Sequence, residues 1–180
     1  YWTVVAIGAV FTMARFSEAF LVLRAQNVGL AMAYAPIVLV VMNVAYALLS
    51  APAGALSDRR DRRYILALSL LPLIAADVLL ATVPSVAGAI AGVALWGVHM
   101  AMSQGLLAAL VADTVPAAQR GPAFGVFNLV SGIALFFASF LAGWLWASVG
   151  PEATFVAGAA FAMVSLAGLG QSSLEGIRLG

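Results

Sequence analysis

Cysteine and lysine are both absent from this 180-residue chain, and charge of either sign is scarce. Without cysteine there are no disulfides and no thiolate metal sites. All eight basic residues are arginine, and charged residues make up only 8% of the chain. A soluble domain carries about 25%, so these charges cannot cover a water-exposed surface. A net charge of +1 offers nothing to nucleic acid. Enzyme signatures are lacking as well. There is no His-Glu-x-x-His zinc site and no Gly-rich phosphate loop. Leu129-Val130-Ser131-Gly132 lacks the first glycine of an intramembrane Gly-x-Ser-Gly protease motif. The expectation is a protein that is not an enzyme and uses neither cofactor nor metal.

What is present is hydrophobic, at 64% of the chain. The runs 25–57, 78–112 and 121–151 contain no formal charge. Each exceeds the ~20 residues needed to cross a hydrocarbon core. The solvent is therefore a lipid bilayer, and a backbone inside it must satisfy its own polar groups by forming helices. The fold class that follows is an all-α membrane protein. Six transmembrane helices fit, over about 2–25, 34–57, 62–83, 86–113, 119–147 and 151–170, forming one domain over 1–170. Pro36 and Pro151 suit first helical turns. Gly29, Pro84 and Pro116 mark connections, while Pro52 and Pro72 fall inside helices, where they are expected to kink them. Residues 171–180 are polar enough to leave the membrane as a tail. The chain opens inside an apolar run at Tyr1, which suggests a piece of a longer protein. The pairs Gly88/Gly92 and Gly121/Gly125 are spaced for close helix packing.

Arginine placement sets the orientation. Arg59, Arg60, Arg62, Arg63 and Arg120 fall in the second and fourth connections, and Arg178 in the tail. These lie on one side of a six-helix chain, which should be cytoplasmic, with both chain ends inside. The opposite side has only Arg24 and Glu152. The Ala-rich, lysine-free composition suggests a bacterial source, hence a multi-pass protein of the cytoplasmic (inner) membrane.

Between the second and third helices stands Gly54-Ala-Leu-Ser-Asp58-Arg59-Arg60-Asp61-Arg62-Arg63. This turn resembles the Gly-x-Leu-x-Asp-Arg-x-Gly-Arg-Arg signature of the major facilitator superfamily of secondary transporters, with Asp61 in place of a glycine. Ala112-Asp113-Thr114-Val115-Pro116 and Arg120-Gly121-Pro122-Ala123-Phe124-Gly125 look like the turn between that family's fourth and fifth helices. The resemblance implies one half of a two-half transporter, each half being a 3+3 inverted repeat. Gln104-Gly105 lacks the arginine three residues upstream, the fifth helix lacks the Gly-Pro-rich antiporter motif, and Ala14–Phe20 is similar to the seventh helix of some bacterial members. The chain is accordingly read as the C-terminal six-helix half, with the missing N-terminal half as its partner.

The resemblance assigns Gly54, Asp58, Arg59, Arg62, Arg63 and Arg120 to a cytoplasmic gate, in which Asp58 helps to lock against the other half. A plain positive-inside anchor is the alternative. Read physically, Asp58 ends a helix, where the dipole disfavours an anion, so Arg59 and Arg62 are expected to compensate it. Asp61 precedes the third helix and can cap its free N–H groups.

Polar residues inside the apolar runs are the candidate pathway. Arg15 and Glu18 sit three apart, on one face of the expected first helix, where pairing would offset the cost of burying either charge. Trp96, His99 and Ser103 share a face of the fourth helix. At about 1.5 Å per residue, Arg15, Asn43 and His99 lie roughly 21 Å from the cytoplasmic helix ends. Gln104 and Asn43 are further donors toward a cavity, or plain interhelical bonds. His99 and the Arg15–Glu18 pair each have a static, packing role as the competing reading. Asp77, at similar depth on the third helix, must turn inward or be protonated. The leading expectation is secondary active transport of a small-molecule substrate by alternating access, with a proton as candidate coupling ion through Glu18, Asp77 or His99. The alternative is a non-transporting six-helix scaffold or receptor.

Overall fold

The computed structural model describes the backbone of residues 1–178 and the side chains of residues 1–169. Among these residues there are helices and turns and no strand. In chain order they are α1 (Trp2–Met13), α2 (Ala19–Asn27), a 3-10 turn at Met32–Tyr34, α3 (Ala35–Ser57), α4 (Arg62–Thr82), α5 (Val86–Asp113), a second 3-10 turn at Ala117–Gln119, α6 (Arg120–Ser148) and α7 (Pro151–Arg178). Five of these segments, covering α3 to α7, are long and apolar enough to cross a bilayer. α1 is apolar but shorter.

The expected single helix over 2–25 is therefore two helices separated by Ala14, Arg15, Phe16, Ser17 and Glu18. The cause is local. Ser17 Oγ accepts from the backbone N–H of Ala19 at 3.3 Å, an alternative to the helical bond. Ser139 of α6 accepts from the freed Ser17 N–H at 3.1 Å, so the interruption leaves that donor satisfied. At the other end α7 runs on through Arg178 instead of stopping near 170. Gln171, Leu174, Glu175 and Arg178 are good helix formers; polarity takes a segment out of the membrane without taking it out of the helix. The side chains of the expected tail, Arg178 included, lie outside the described residues.

Other boundaries have visible chemistry. Asp61 caps α4, accepting from the Arg63 N–H at 2.8 Å, and Ser85 caps α5, accepting from the Gly88 N–H at 3.0 Å. α2 and α6 end in Gly29 and Gly150, at φ +109° and +137°, where a side chain would be strained. α3 and α4 continue through Pro52 and Pro72.

α5 is the centre of the packing, with α3 on one side and α4 on the other, and α4 packs in turn on α7. Missing side chains allow the approach. A Cβ on Gly92 would stand 2.7 Å from Leu80 Cγ, and one on Gly97 would collide with the Met42 carbonyl oxygen of α3. The expected Gly88/Gly92 pair thus does pack, Gly88 against Val83 and Gly92 against α4. Gly121 and Gly125 have nothing within 4 Å. Coverage is uneven. Only 11% of the most apolar stretch of α3, and likewise of α6, is buried, against 44% for α4 and 56% for α5. Leu129, Ile133, Phe136, Phe140 and Trp144 leave one flank of α6 open.

Candidate functional site

The break between α1 and α2 brings Arg15 against α5. Phe11, Thr12, Arg15, His99, Ser103, Gln104 and Leu107 line one small cavity of about 20 Å³, room for a single water. Each polar group in it is placed by its own local chemistry. His99 Nδ1 is 2.7 Å from the Ser69 carbonyl oxygen of α4. A carbonyl only accepts, so that nitrogen carries the proton, and the ring orientation is fixed. Phe11 stacks on the imidazole at a centroid distance of 6.5 Å. The hydroxyls of Thr12 and Ser103 donate to the carbonyls of Gly8 and His99, four residues back on their own helices. The Arg15 guanidinium forms no hydrogen bond or ion pair among the described residues.

The structure thus joins Arg15, His99, Ser103 and Gln104 and leaves out the rest of the expected set. Trp96 is fully buried one turn away, against Phe16 at 5.3 Å, and does not line the cavity. Asn43 is exposed on α3, donating to the Leu39 carbonyl at 2.8 Å. The expected Arg15–Glu18 ion pair is not formed, because the break removes the helical spacing that would have put both on one face.

At the signature turn, Asp58 closes α3 and is exposed, and Arg59, Arg60 and Arg63 are exposed beside it. The expected compensation of Asp58 by Arg59 or Arg62 is not made. Arg62 instead bridges to Asp113 at the end of α5. Arg120 donates from Nε to the Ala112 carbonyl at 3.3 Å, on the same helix end. An α5 C-terminus carries unsatisfied carbonyls, which draw a cation. Asp113 was present in the quoted turn after α5, yet only the fold shows that it lies across from Arg62. Gly54 has nothing within 4 Å of its missing Cβ.

The opposite end of the bundle holds a cluster that sequence reasoning did not assemble. Arg24 of α2 is 1% exposed. It donates from Nε to the Leu80 carbonyl of α4 at 2.8 Å and from Nη1 to Asn27 Oδ1 at 2.7 Å and Glu152 Oε1 of α7 at 2.8 Å. One arginine so ties α2, α4 and α7. The only hint in sequence was that Arg24 and Glu152 are the charges of the arginine-poor side.

The family model described as Major Facilitator Superfamily matches residues 3–171. The chain belongs to the major facilitator superfamily. It is 35% identical over 167 residues to an uncharacterised MFS-type transporter of the archaeon Methanocaldococcus jannaschii, a match covering 89% of this chain. The chain spans about two fifths of that relative's length, 42%. No solved structure gives a significant match. In this superfamily member, five apolar helices of membrane length and the preceding broken segment form a multi-pass membrane protein.

Proposed function

We propose that this chain is the C-terminal half of a secondary active transporter, a six-crossing unit in which α1, the break and α2 together make the first crossing. A small solute binds where the cavity faces the other half, and the two halves rock about it. The observation that carries the reading is the cavity itself, where Arg15, unpaired among the described residues and at the break between α1 and α2, meets His99, Ser103 and Gln104 of α5. Interrupted helices that free polar groups at mid-membrane are where transporters hold substrate. The coverage of the relative's length and the open flanks of α3 and α6 support a further half packed against this one. The arginine-rich turn supports a cytoplasmic position for both chain ends, and composition a bacterial cytoplasmic membrane.

The test uses the full-length protein in proteoliposomes, screened against labelled sugars, amino acids, organic anions and organic cations. At least one class should accumulate, and Arg15→Ala should abolish that uptake while the protein stays folded. Uptake undiminished by Arg15→Ala and by His99→Ala would rule out the cavity as the binding site. A folded protein that moves none of the four classes would favour the scaffold reading.

A further inference from the structure

Asp77 is the only buried acid among the described residues, with no solvent exposure at all. Neither carboxyl oxygen has a hydrogen-bond partner. It sits on α4 and turns toward α7, where Oδ2 lies 2.7 Å from the point at which a Cβ would stand on Gly158. The Phe16 ring, from the break between α1 and α2, closes the same notch, 3.0 Å from that point. The acid therefore fits only because residue 158 has no side chain.

A charge in such a place is far more costly than a neutral acid, because no cation and no donor offset its lost hydration. Among the described residues, the charged and titratable groups on the elements around it are engaged elsewhere or out of reach. On α4 itself, Arg62 and Arg63 lie at the far end. On α5, His99 is held by the Ser69 carbonyl, two turns along α4. On α7, Glu152 is held by Arg24 of α2, whose own Nε is on Leu80. Arg15 and Glu18 flank Phe16 in the break, and neither forms an ion pair with Asp77. In this packing the neutral acid is the less costly form of the carboxyl.

Two features give that proton a way out. A cavity of about 20 Å³ lies on the other side of the notch, lined by Phe16, Gly158 and other apolar groups, with Thr154 its one polar side chain. Phe16 belongs to a non-helical segment, so its displacement from Gly158 would break no helix, though it would part the ring from Phe20, Trp96 and Phe155. We propose that Asp77 is a proton-binding site. It forms an O–H bond by taking a proton from water when α4 and α7 are packed as here, and returns that proton to water when Phe16 moves away. This site is separate from the Arg15–His99 cavity. It rests on the transport reading for its purpose, as a place for a coupling proton, but its titration stands without it.

The experiment is infrared spectroscopy of the full-length protein in proteoliposomes, following the carbonyl stretch of a protonated carboxyl from about pH 5 to about pH 9, a range spanning the buried acids known to titrate. The band is assigned by its loss in Asp77→Asn. It should be present at low pH, disappear in a single step as pH rises, and shift in D₂O. A pH dye should count one proton fewer per molecule released by Asp77→Asn. A band that persists unchanged over the whole range and ignores D₂O marks a static buried acid and overturns the proposal, as does a band absent throughout. If Asp77→Asn does not fold, Gly158→Ala serves, because its methyl group presses on the carboxyl. The titration midpoint should move, and an unmoved midpoint overturns the site. None of these readouts needs a solute, so failure of the solute screen and failure of the proton site are separate results.

Discussion

The two ends of this bundle are built from similar residues and held in opposite ways. At one end a single buried arginine, Arg24, binds α2, α4 and α7 together through a carbonyl, an amide and a carboxylate. At the other, four arginines and two aspartates crowd one turn, and the only ion pair that any of them makes among the described residues is Arg62 with Asp113. The Arg24 end is closed within this chain. At the signature-turn end Asp58, Arg59, Arg60 and Arg63 are exposed and make no ion pair among the described residues. A charged cluster tied to its own helices makes a clamp, even with Arg24 Nη2 left buried without a hydrogen-bond partner among the described residues, and one left exposed makes a contact surface.

Removing Arg24 should have the largest effect on stability. Arg24→Ala deletes three hydrogen bonds at a buried site and strands the Leu80 carbonyl. The cost should be about 2–4 kcal/mol, read as a drop in the unfolding midpoint of the purified full-length protein. Glu152 is half exposed, so Glu152→Gln should cost much less, about 1 kcal/mol, since water replaces what is lost. Equal losses in the two variants would mean that the clamp is a simple pair and not a three-helix tie.

The equivalent measurement at the signature turn should be smaller still. The Arg62 and Asp113 side chains are 31% and 58% exposed. Exposed pairs contribute about 0.2–1 kcal/mol and weaken in salt. A double-mutant cycle with Arg62→Ala and Asp113→Ala should return a coupling in that range, falling as salt is raised. A coupling as large as the Arg24 loss would erase the contrast between the ends.

Sequence carried much of this, and its failures are local. Long uncharged runs disclosed the helices from α3 to α7, because hydrophobic length is a property of composition alone. Asp61 as a cap and Gly92 as a packing point were legible, since both depend on neighbours a few residues away or on size. The break at Ala14–Glu18 was not, because what permits it is a hydroxyl from Ser139, 122 residues along the chain. Part of the candidate cavity was legible through helical spacing on α5, in His99 and Ser103. Asn43 stands apart from that cavity, exposed on α3, because depth in the membrane was legible and rotation about the helix axis was not. Asp113 and Glu152 escaped for the same reason: each was seen as a charge, but its partner lay on a helix distant in sequence.

The smallest effect on stability should come from Asp58, and it should also be the most telling. Asp58 is exposed at the end of α3 and makes no ion pair among the described residues, so Asp58→Asn removes nothing that holds this chain together. The change also relieves an anion at a helix C-terminus, a slightly favourable term. The unfolding midpoint should therefore stay within about 0.5 kcal/mol of the parent, as for a surface substitution. If, on the proposed reading, Asp58 instead grips a second half when the cytoplasmic side is shut, its loss should shift the resting equilibrium toward the open side. Ser103→Cys provides a reporter in the cavity, in a chain that has no other cysteine. In full-length protein with any cysteines of the other half removed, a membrane-impermeant thiol reagent added on the cytoplasmic side should label the introduced thiol faster when Asp58 is changed. Faster labelling at unchanged stability separates a gate contact from a structural one. Labelling at the parent rate would leave the arginine-rich turn as an orienting anchor, and the contrast between the two ends would be one of solvation alone.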